Sequence, residues 1–215
     1  MNELEHWSRR VAMVAEQIQR RGVTNPDVLA AMRTVPRHLF LAPEQATLAW
    51  ADRPLPIAHG QTISQPYVVA AMSEALEVGP GDRVLEVGTG TGYQAAVLAE
   101  IASEVWTVES IPELADRASE RLARLCYRNV RVFQGDGAAG WPQAAPFQGV
   151  LVACGAPRVP PALVEQLAPG RRMVIPVGRP GEVMELRLLR KRSDGTVREE
   201  TLMPVRFVPM VSPTV

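Results

Sequence analysis

Asp82-Arg83-Val84-Leu85-Glu86-Val87-Gly88-Thr89-Gly90-Thr91-Gly92-Tyr93 carries an apolar segment straight into a turn with glycine at every second position. Val84 to Val87 is short and apolar, which predicts a buried strand. Gln94-Ala95-Ala96-Val97-Leu98-Ala99-Glu100 predicts the helix that follows. A strand, a glycine-rich turn and a helix in that order form a nucleotide pocket, because backbone without Cβ atoms lets a ligand approach closely. The spacing also says which pocket this is not. A dinucleotide site has G-x-G-x-x-G, and here Tyr93 stands where the last glycine belongs. A phosphate loop needs Gly-Lys-Ser/Thr, and none follows.

Working outward, Glu104-Val105-Trp106-Thr107-Val108-Glu109 predicts the next strand, ending in a carboxylate about twenty residues past the first glycine. A carboxylate there accepts both hydroxyls of a ribose; Glu109 is also placed to cap the helix predicted over 111–126. Val130 to Gln134 gives a third strand, closed by Gly135-Asp136-Gly137, which on its own is an ordinary turn. Strands over 147–153 and 173–177 follow, with a helix over 160–167 between them. This alternation predicts an α/β fold with a doubly wound, mostly parallel sheet. Ahead of it the sequence predicts helices over 4–21 and 28–34, a proline-dotted stretch over 41–65 with little regular structure, and a helix over 66–76. Beyond it, 183–192 and 196–208 read as antiparallel strands around Ser193-Asp194-Gly195. The expected organisation is a single domain over 1–215: an N-terminal helical and active-site segment (1–78), a cofactor-binding core (79–178) and C-terminal strands (179–215).

The 215 residues include 23 basic and 23 acidic side chains, so the chain shows no electrostatic footprint for nucleic acid. Cys126 and Cys154 are isolated, with no C-x-x-C, which speaks against a metal site or a disulfide. The N-terminus is charged and lacks an apolar leader, and no segment has membrane-span length. The expectation is a cytoplasmic monomer that binds neither nucleic acid nor membrane. His6 is expected to face solvent, and His38 to sit at a helix end near exposed backbone. Trp7, Trp50, Trp106 and Trp141 are expected in the core, Trp50 being near enough to the segment that follows to shape its wall.

The alternate-glycine turn led by Glu86 resembles the first motif of S-adenosylmethionine-dependent methyltransferases, whose ligand has no phosphates. A second run makes the resemblance specific: Pro54-Leu55-Pro56-Ile57-Ala58-His59-Gly60-Gln61-Thr62-Ile63-Ser64-Gln65-Pro66-Tyr67. It is similar to the signature of the protein-L-isoaspartate (D-aspartate) O-methyltransferases, which carry Gly-Gln-Thr-Ile-Ser-Gln-Pro ahead of the sheet. Val35-Pro36-Arg37-His38-Leu39-Phe40, Leu167-Ala168-Pro169-Gly170, Val174-Ile175-Pro176-Val177-Gly178 and Val205-Arg206-Phe207-Val208-Pro209 match in the same order, so the likeness covers nearly the whole chain.

The resemblance implies a Rossmann-like methyltransferase with an N-terminal helical extension and antiparallel C-terminal strands. It implies methyl transfer from S-adenosylmethionine to the free carboxylate of L-isoaspartyl residues in damaged proteins and peptides, with D-aspartyl residues as a second class to test. The ester then closes to a succinimide without the enzyme. By the same likeness Ser64 is the active-site residue, and Thr62, Ile63 and Gln65 line the pocket between cofactor and substrate. Glu86, Gly88, Thr89, Gly90, Gly92, Glu109, Asp136 and Gly137 would hold the cofactor, Asp136 at the adenine; no metal is implied. His59, Val205 and Val208 are candidate substrate contacts, the last two by offering backbone.

The acceptor carboxylate, with a pKa near ~4, is ionised at neutral pH, so no general base is needed. Ser64 then orients the carboxylate by a hydrogen bond, and the absence of a G-x-S-x-G elbow leaves no support for a nucleophilic serine. Two departures from the family pattern stand out. Phe147-Gln148-Gly149 replaces an aromatic-Asp pair, and Cys154-Gly155 replaces small apolar or hydroxyl residues. Gln148 is expected to change packing and leave activity intact. The glycine turn alone also fits a methyltransferase for a small molecule or RNA, and a non-catalytic binding module is the remaining alternative.

Overall fold

Asn2 opens the first helix, α1 (Glu3–Met13), with a reciprocal cap: Asn2 Oδ1 accepts from the Glu5 N–H and Glu5 Oε2 from the Asn2 N–H, both at 3.0 Å. In the computed structural model the described residues are 1–211; the last four residues of the C-terminal segment, 212–215, lie outside them. The helical path continues through wide and tight turns over 14–21 and stops at Gly22, in the left-handed region at φ +97°. Asn25 caps α2 (Pro26–Thr34), with proline in the first turn where a missing N–H costs nothing. The proline-dotted stretch contains a two-strand antiparallel ribbon, β1 (Leu55–Pro56) with β2 (Thr62–Ile63). This ribbon positions the residues that follow, and α3 (Pro66–Leu76) starts at once.

From there strand and helix alternate: β3 (Arg83–Val87), α4 (Tyr93–Ala99), β4 (Glu104–Glu109), α5 (Pro112–Arg124), β5 (Val130–Gln134), β6 (Phe147–Val152), α6 (Pro161–Gln166) and β7 (Leu167–Val177). β8 (Met184–Lys191) and β9 (Val197–Val205) close the chain. β7 begins six residues earlier than expected, at Leu167 rather than Met173. Leu167 pairs with Phe147, and Gly170 at φ +78° absorbs the register shift inside the strand.

The seven strands lie in the order β5-β4-β3-β6-β7-β8-β9, the first five parallel and the last two antiparallel. Strand order reverses between β3 and β6, and a crevice opens at their carboxyl ends. Helices cover both faces, so the central strands β3 and β6 are buried along nearly their whole length. Alternation puts Val84 in one hydrophobic cluster and Leu85 and Val87 in the other. Gln148 has a role of its own: its Oε1 accepts from the Arg83 N–H at 2.9 Å and ties the start of β6 to β3. Among the described residues, no helix is long and apolar enough to cross a membrane.

The solvent-facing expectation for His6 fails, while His38 lies in the short helix that follows α2. His6 is buried because α1 turns its His6–Met13 stripe inward, and its ring stacks on His38 at 3.8 Å and 7°. His38 is equally buried, and burial, followed by the adjacent His6, lowers its pKa. Trp50 packs against both rings, at 5.8 and 5.6 Å, and so braces this pair rather than a pocket wall. Trp7 is not in the core; it is 56% exposed on the outer side of α1.

Candidate active site

The glycine turn leaves β3 with Gly88 at φ +92°, and its amide donates to Val108 O at 2.8 Å. This lays the backbone over the carboxyl ends of β3 and β4. A cavity forms there, lined by Thr62, Gly88, Gly90, Glu109, Gly137, Cys154 and Val208, with Ile111 and Met210 at its sides. Glu109 is buried, and it takes the capping role expected of it. Oε2 accepts from the Gly90 N–H at 2.8 Å and Oε1 from the Ile111 N–H at 3.1 Å. Each oxygen has one donor, leaving lone pairs for two further hydrogen bonds.

Glu86 lies beneath the turn and does not line the cavity. Its register partner on β4 is Thr107, whose Oγ1 donates to Glu86 Oε2 at 2.5 Å and sits 2.6 Å from Thr89 Oγ1. Oε1 has no partner. Burial pushes this carboxyl up to about 8, with Glu109 adding and the Thr107 bond opposing. Glu86 therefore holds its proton well above the ordinary carboxylate range. Cys154 packs below Gly88, its Sγ 3.5 Å from the position of a Cβ there. Burial raises its thiol to about 12, so it contributes shape and no thiolate chemistry.

Ser64 lies between β2 and α3, held by a residue the sequence reading passed over. Arg37 is completely buried; its Nη2 donates to Ser64 O at 2.8 Å and its Nε to Ala49 O at 3.0 Å. The guanidinium lies 4.7 Å from the ring centroid of Tyr93, the first residue of α4. Burial lowers its pKa to about 10, so it stays charged. One buried cation thus links the glycine turn to the Ser64 backbone. Next to Ser64, the Gln65 amide donates to Asp52 O at 3.1 Å and Asp52 Oδ1 at 2.7 Å. Asp52 in turn pairs with Arg21 at 3.1 Å, and Arg21 lies 3.5 Å over the Tyr67 ring.

A second cavity, of about 440 Å³, contains Ser64, Gln65, Tyr67, Val205 and Phe207. Thr62 lines both cavities, and Ile63, Ser64 and Thr89 border a narrow crevice between them. Other expected residues stand apart. Gly92 backs onto α5, where a Cβ would lie 3.1 Å from Leu122. Asp136 Oδ1 accepts from the Ala138 N–H at 2.9 Å, and its neighbour Gly137 lines the cavity instead. His59 is exposed at φ +57° and lines none of the described cavities, because the left-handed turn carries it outward. Ala153, Ile111 and Met210, which no motif marked, complete the first cavity together with Cys154.

The donor set decides what fits. The first cavity offers backbone, a buried carboxylate with free lone pairs and no cation, so it suits a ligand with a diol and positive charge and repels phosphates. Among the described residues, no group of three or more His, Cys, Asp or Glu could hold a metal. A Rossmann-like sheet with this acid and glycine turn at its switch point defines a methyltransferase of the S-adenosylmethionine-dependent class.

Comparison with known proteins narrows the class. The family model for protein-L-isoaspartate (D-aspartate) O-methyltransferase matches residues 8–214. A protein-L-isoaspartate O-methyltransferase of Gloeobacter violaceus is 54% identical over 198 residues, 92% of this chain and 96% of that protein. A protein-L-isoaspartate O-methyltransferase 1 of Rhodopseudomonas palustris is 54% identical over 204 residues, 95% of this chain and 83% of that one. A solved protein-L-isoaspartate O-methyltransferase superposes with a TM-score of 0.83 at 27% identity, covering 93% of this chain and 65% of that chain. The fold is shared with a Plasmodium falciparum protein solved with S-adenosyl-L-homocysteine, at a TM-score of 0.78 and 23% identity over 94% of this chain and 98% of that one. The chain belongs to the protein-L-isoaspartate (D-aspartate) O-methyltransferase family.

Proposed function

We propose that this chain methylates the free carboxylate of L-isoaspartyl residues in damaged proteins, with the methyl donor in the first cavity and the substrate in the second. The observation carrying this reading is Thr62, shared by both cavities, with Ser64 on the substrate side. S-adenosylmethionine supplies a methyl group already activated on a sulfonium. Glu109 would accept the ribose hydroxyls, Gly88 and Gly90 would admit the methionine part, and Asp136-Gly137 would meet the adenine. Ile63 and Thr89 pack the crevice, while Glu86 supports the turn from below.

Ser64 donates a hydrogen bond that orients the acceptor carboxylate, which is ionised at neutral pH and needs no base. Positioning is then the main catalytic contribution, and Arg37 supplies it by fixing the Ser64 carbonyl. Joining an anion to a cation disperses charge, so a water-poor pocket favours the reaction. The whole chain acts as one domain, with 1–78 serving substrate, 79–178 the cofactor and 179–215 the substrate edge. It works as a cytoplasmic monomer on proteins and peptides, without nucleic acid or membrane.

Ser64→Ala tests the assignment. The expected result is a fall in kcat/KM for an isoaspartyl peptide of roughly 10- to 100-fold, the worth of one hydrogen bond to a charged group. The Kd for S-adenosylmethionine stays within about twofold. Unchanged kcat/KM, or a loss carried entirely by cofactor affinity, overturns the role given to that hydroxyl.

A further inference from the structure

A third depression, of about 650 Å³, lies beyond the substrate cavity and shares its Arg21–Tyr67 wall. Leu188 and Leu202 line it from the sheet, and Ala71 and Glu74 of α3 line it along the same helix as Tyr67. Strand β9 runs from one depression to the other: Met203 and Val205 line the first, Glu200 and Leu202 the second. A bulge in β9 sets Val205 opposite Met184 and Glu200 opposite Leu188, so at ~3.3 Å per residue the two lie about 13 Å apart, room for about four residues of extended chain.

The charges of this depression are already satisfied within the protein. Arg172 pairs with Glu77, Arg190 pairs with Glu200 at 3.2 Å, and Glu74 Oε1 accepts from the Thr24 and Asn25 N–H groups, both at 2.7 Å. Beside these partnered groups the depression offers apolar surface. Leu202 is 39% exposed here, and Val183 at the rim of the substrate cavity is 54% exposed. A surface with its charges paired internally and its apolar groups uncovered receives polypeptide without demanding a particular charge.

We propose that this depression is a second substrate subsite, which takes the polypeptide flanking the isoaspartyl residue on one side. The inference rests on the isoaspartyl reading of the Ser64 cavity. It follows that the Arg21–Tyr67 stack is the sill the substrate chain crosses, and that flanking residues bind by apolar contact with Leu202 and Ala71. An acceptor too short to cross the sill gains nothing from the subsite.

The test compares a short isoaspartyl peptide, one residue on each side, with peptides extended by six residues on the N-terminal or the C-terminal side. For the unmodified enzyme, extension on one side lowers KM by roughly five- to twentyfold, the worth of burying about one apolar side chain. Leu202→Arg removes that gain and leaves kcat/KM for the short peptide within about twofold. Ala71→Glu, on α3, does the same, and unchanged melting temperatures show that both variants fold. The proposal is overturned if neither extension lowers KM, if the variants leave the gain intact, or if they weaken short and long peptides equally. Failure to methylate even the short peptide strikes instead at the isoaspartyl reading itself.

Discussion

Glu86→Gln isolates a buried proton. Glu86 is fully buried and its carboxyl is raised from 4.5 to about 8, so the folded chain keeps a proton that the unfolded chain releases above pH 4.5. Because the folded state binds more protons, this group favours folding most at low pH, and that contribution is lost as pH rises toward about 8. At ~1.4 kcal/mol per pH unit, the full span amounts to roughly 5 kcal/mol. Between pH 5 and pH 7 the loss is about 2–3 kcal/mol. The amide cannot ionise. Urea unfolding of both proteins at pH 5, 6, 7, 8 and 9 yields the stability difference, parent minus variant. It should fall by about 1.4 kcal/mol per unit up to pH 7.5 and flatten above the folded value. Any constant offset from the new amide, whose NH₂ takes the unpartnered Oε1 position, drops out of the slope. A difference that does not change with pH would show that the carboxyl is ionised in the folded protein, and the raised Glu86 carboxyl beneath the glycine turn would fall.

Arg37→Met leaves the Ala49 and Ser64 carbonyls without their buried donor, at about 1–3 kcal/mol each. It should lower stability by about 2–5 kcal/mol in urea unfolding, while Arg37→Lys recovers much of that yet still loses about tenfold in kcat, since an ammonium cannot hold both carbonyls and stack on Tyr93. Gly137→Ala places a Cβ 2.4 Å from Val87 Cγ1, an overlap worth about 1–3 kcal/mol. Calorimetry should show weaker S-adenosylmethionine binding, and adding Val87→Ala should restore it in part. Glu109→Gln turns an NH₂ toward either Gly90 or Ile111, and the Kd for S-adenosylmethionine should rise about 10- to 100-fold.

The central sheet was readable because each strand is a short, Val-rich and largely apolar run between turn signals; Glu104–Glu109 has the expected bounds. Helix α3 was equally plain, since Pro66 marks its first turn. Local chemistry fails where partners are distant in sequence. The His6–His38 stack joins residues 32 apart, and α1 looks polar until its inward stripe meets a surface. Arg37 reaches Ser64 across 27 residues, and nothing in Val35-Pro36-Arg37 signals that contact. Glu86 was read as a ligand because it precedes the glycines, but strand alternation puts it on Val84's side, and only the register with Thr107 reveals its partner. The residues at Thr62 and Ser64 were legible through the signature run, whereas His59 in the same run is carried away by one left-handed residue. Loops from three separate places complete the first cavity, and their convergence is a property of the sheet order alone.

The most direct measurement uses two peptides of one sequence, one with an L-isoaspartyl linkage and the other with the normal aspartyl linkage, each incubated with the protein and methyl-labelled S-adenosylmethionine. Label should enter the isoaspartyl peptide alone, as a base-labile ester whose decay yields the succinimide. Equal labelling of both peptides, or none while the cofactor is bound, would contradict the repair function.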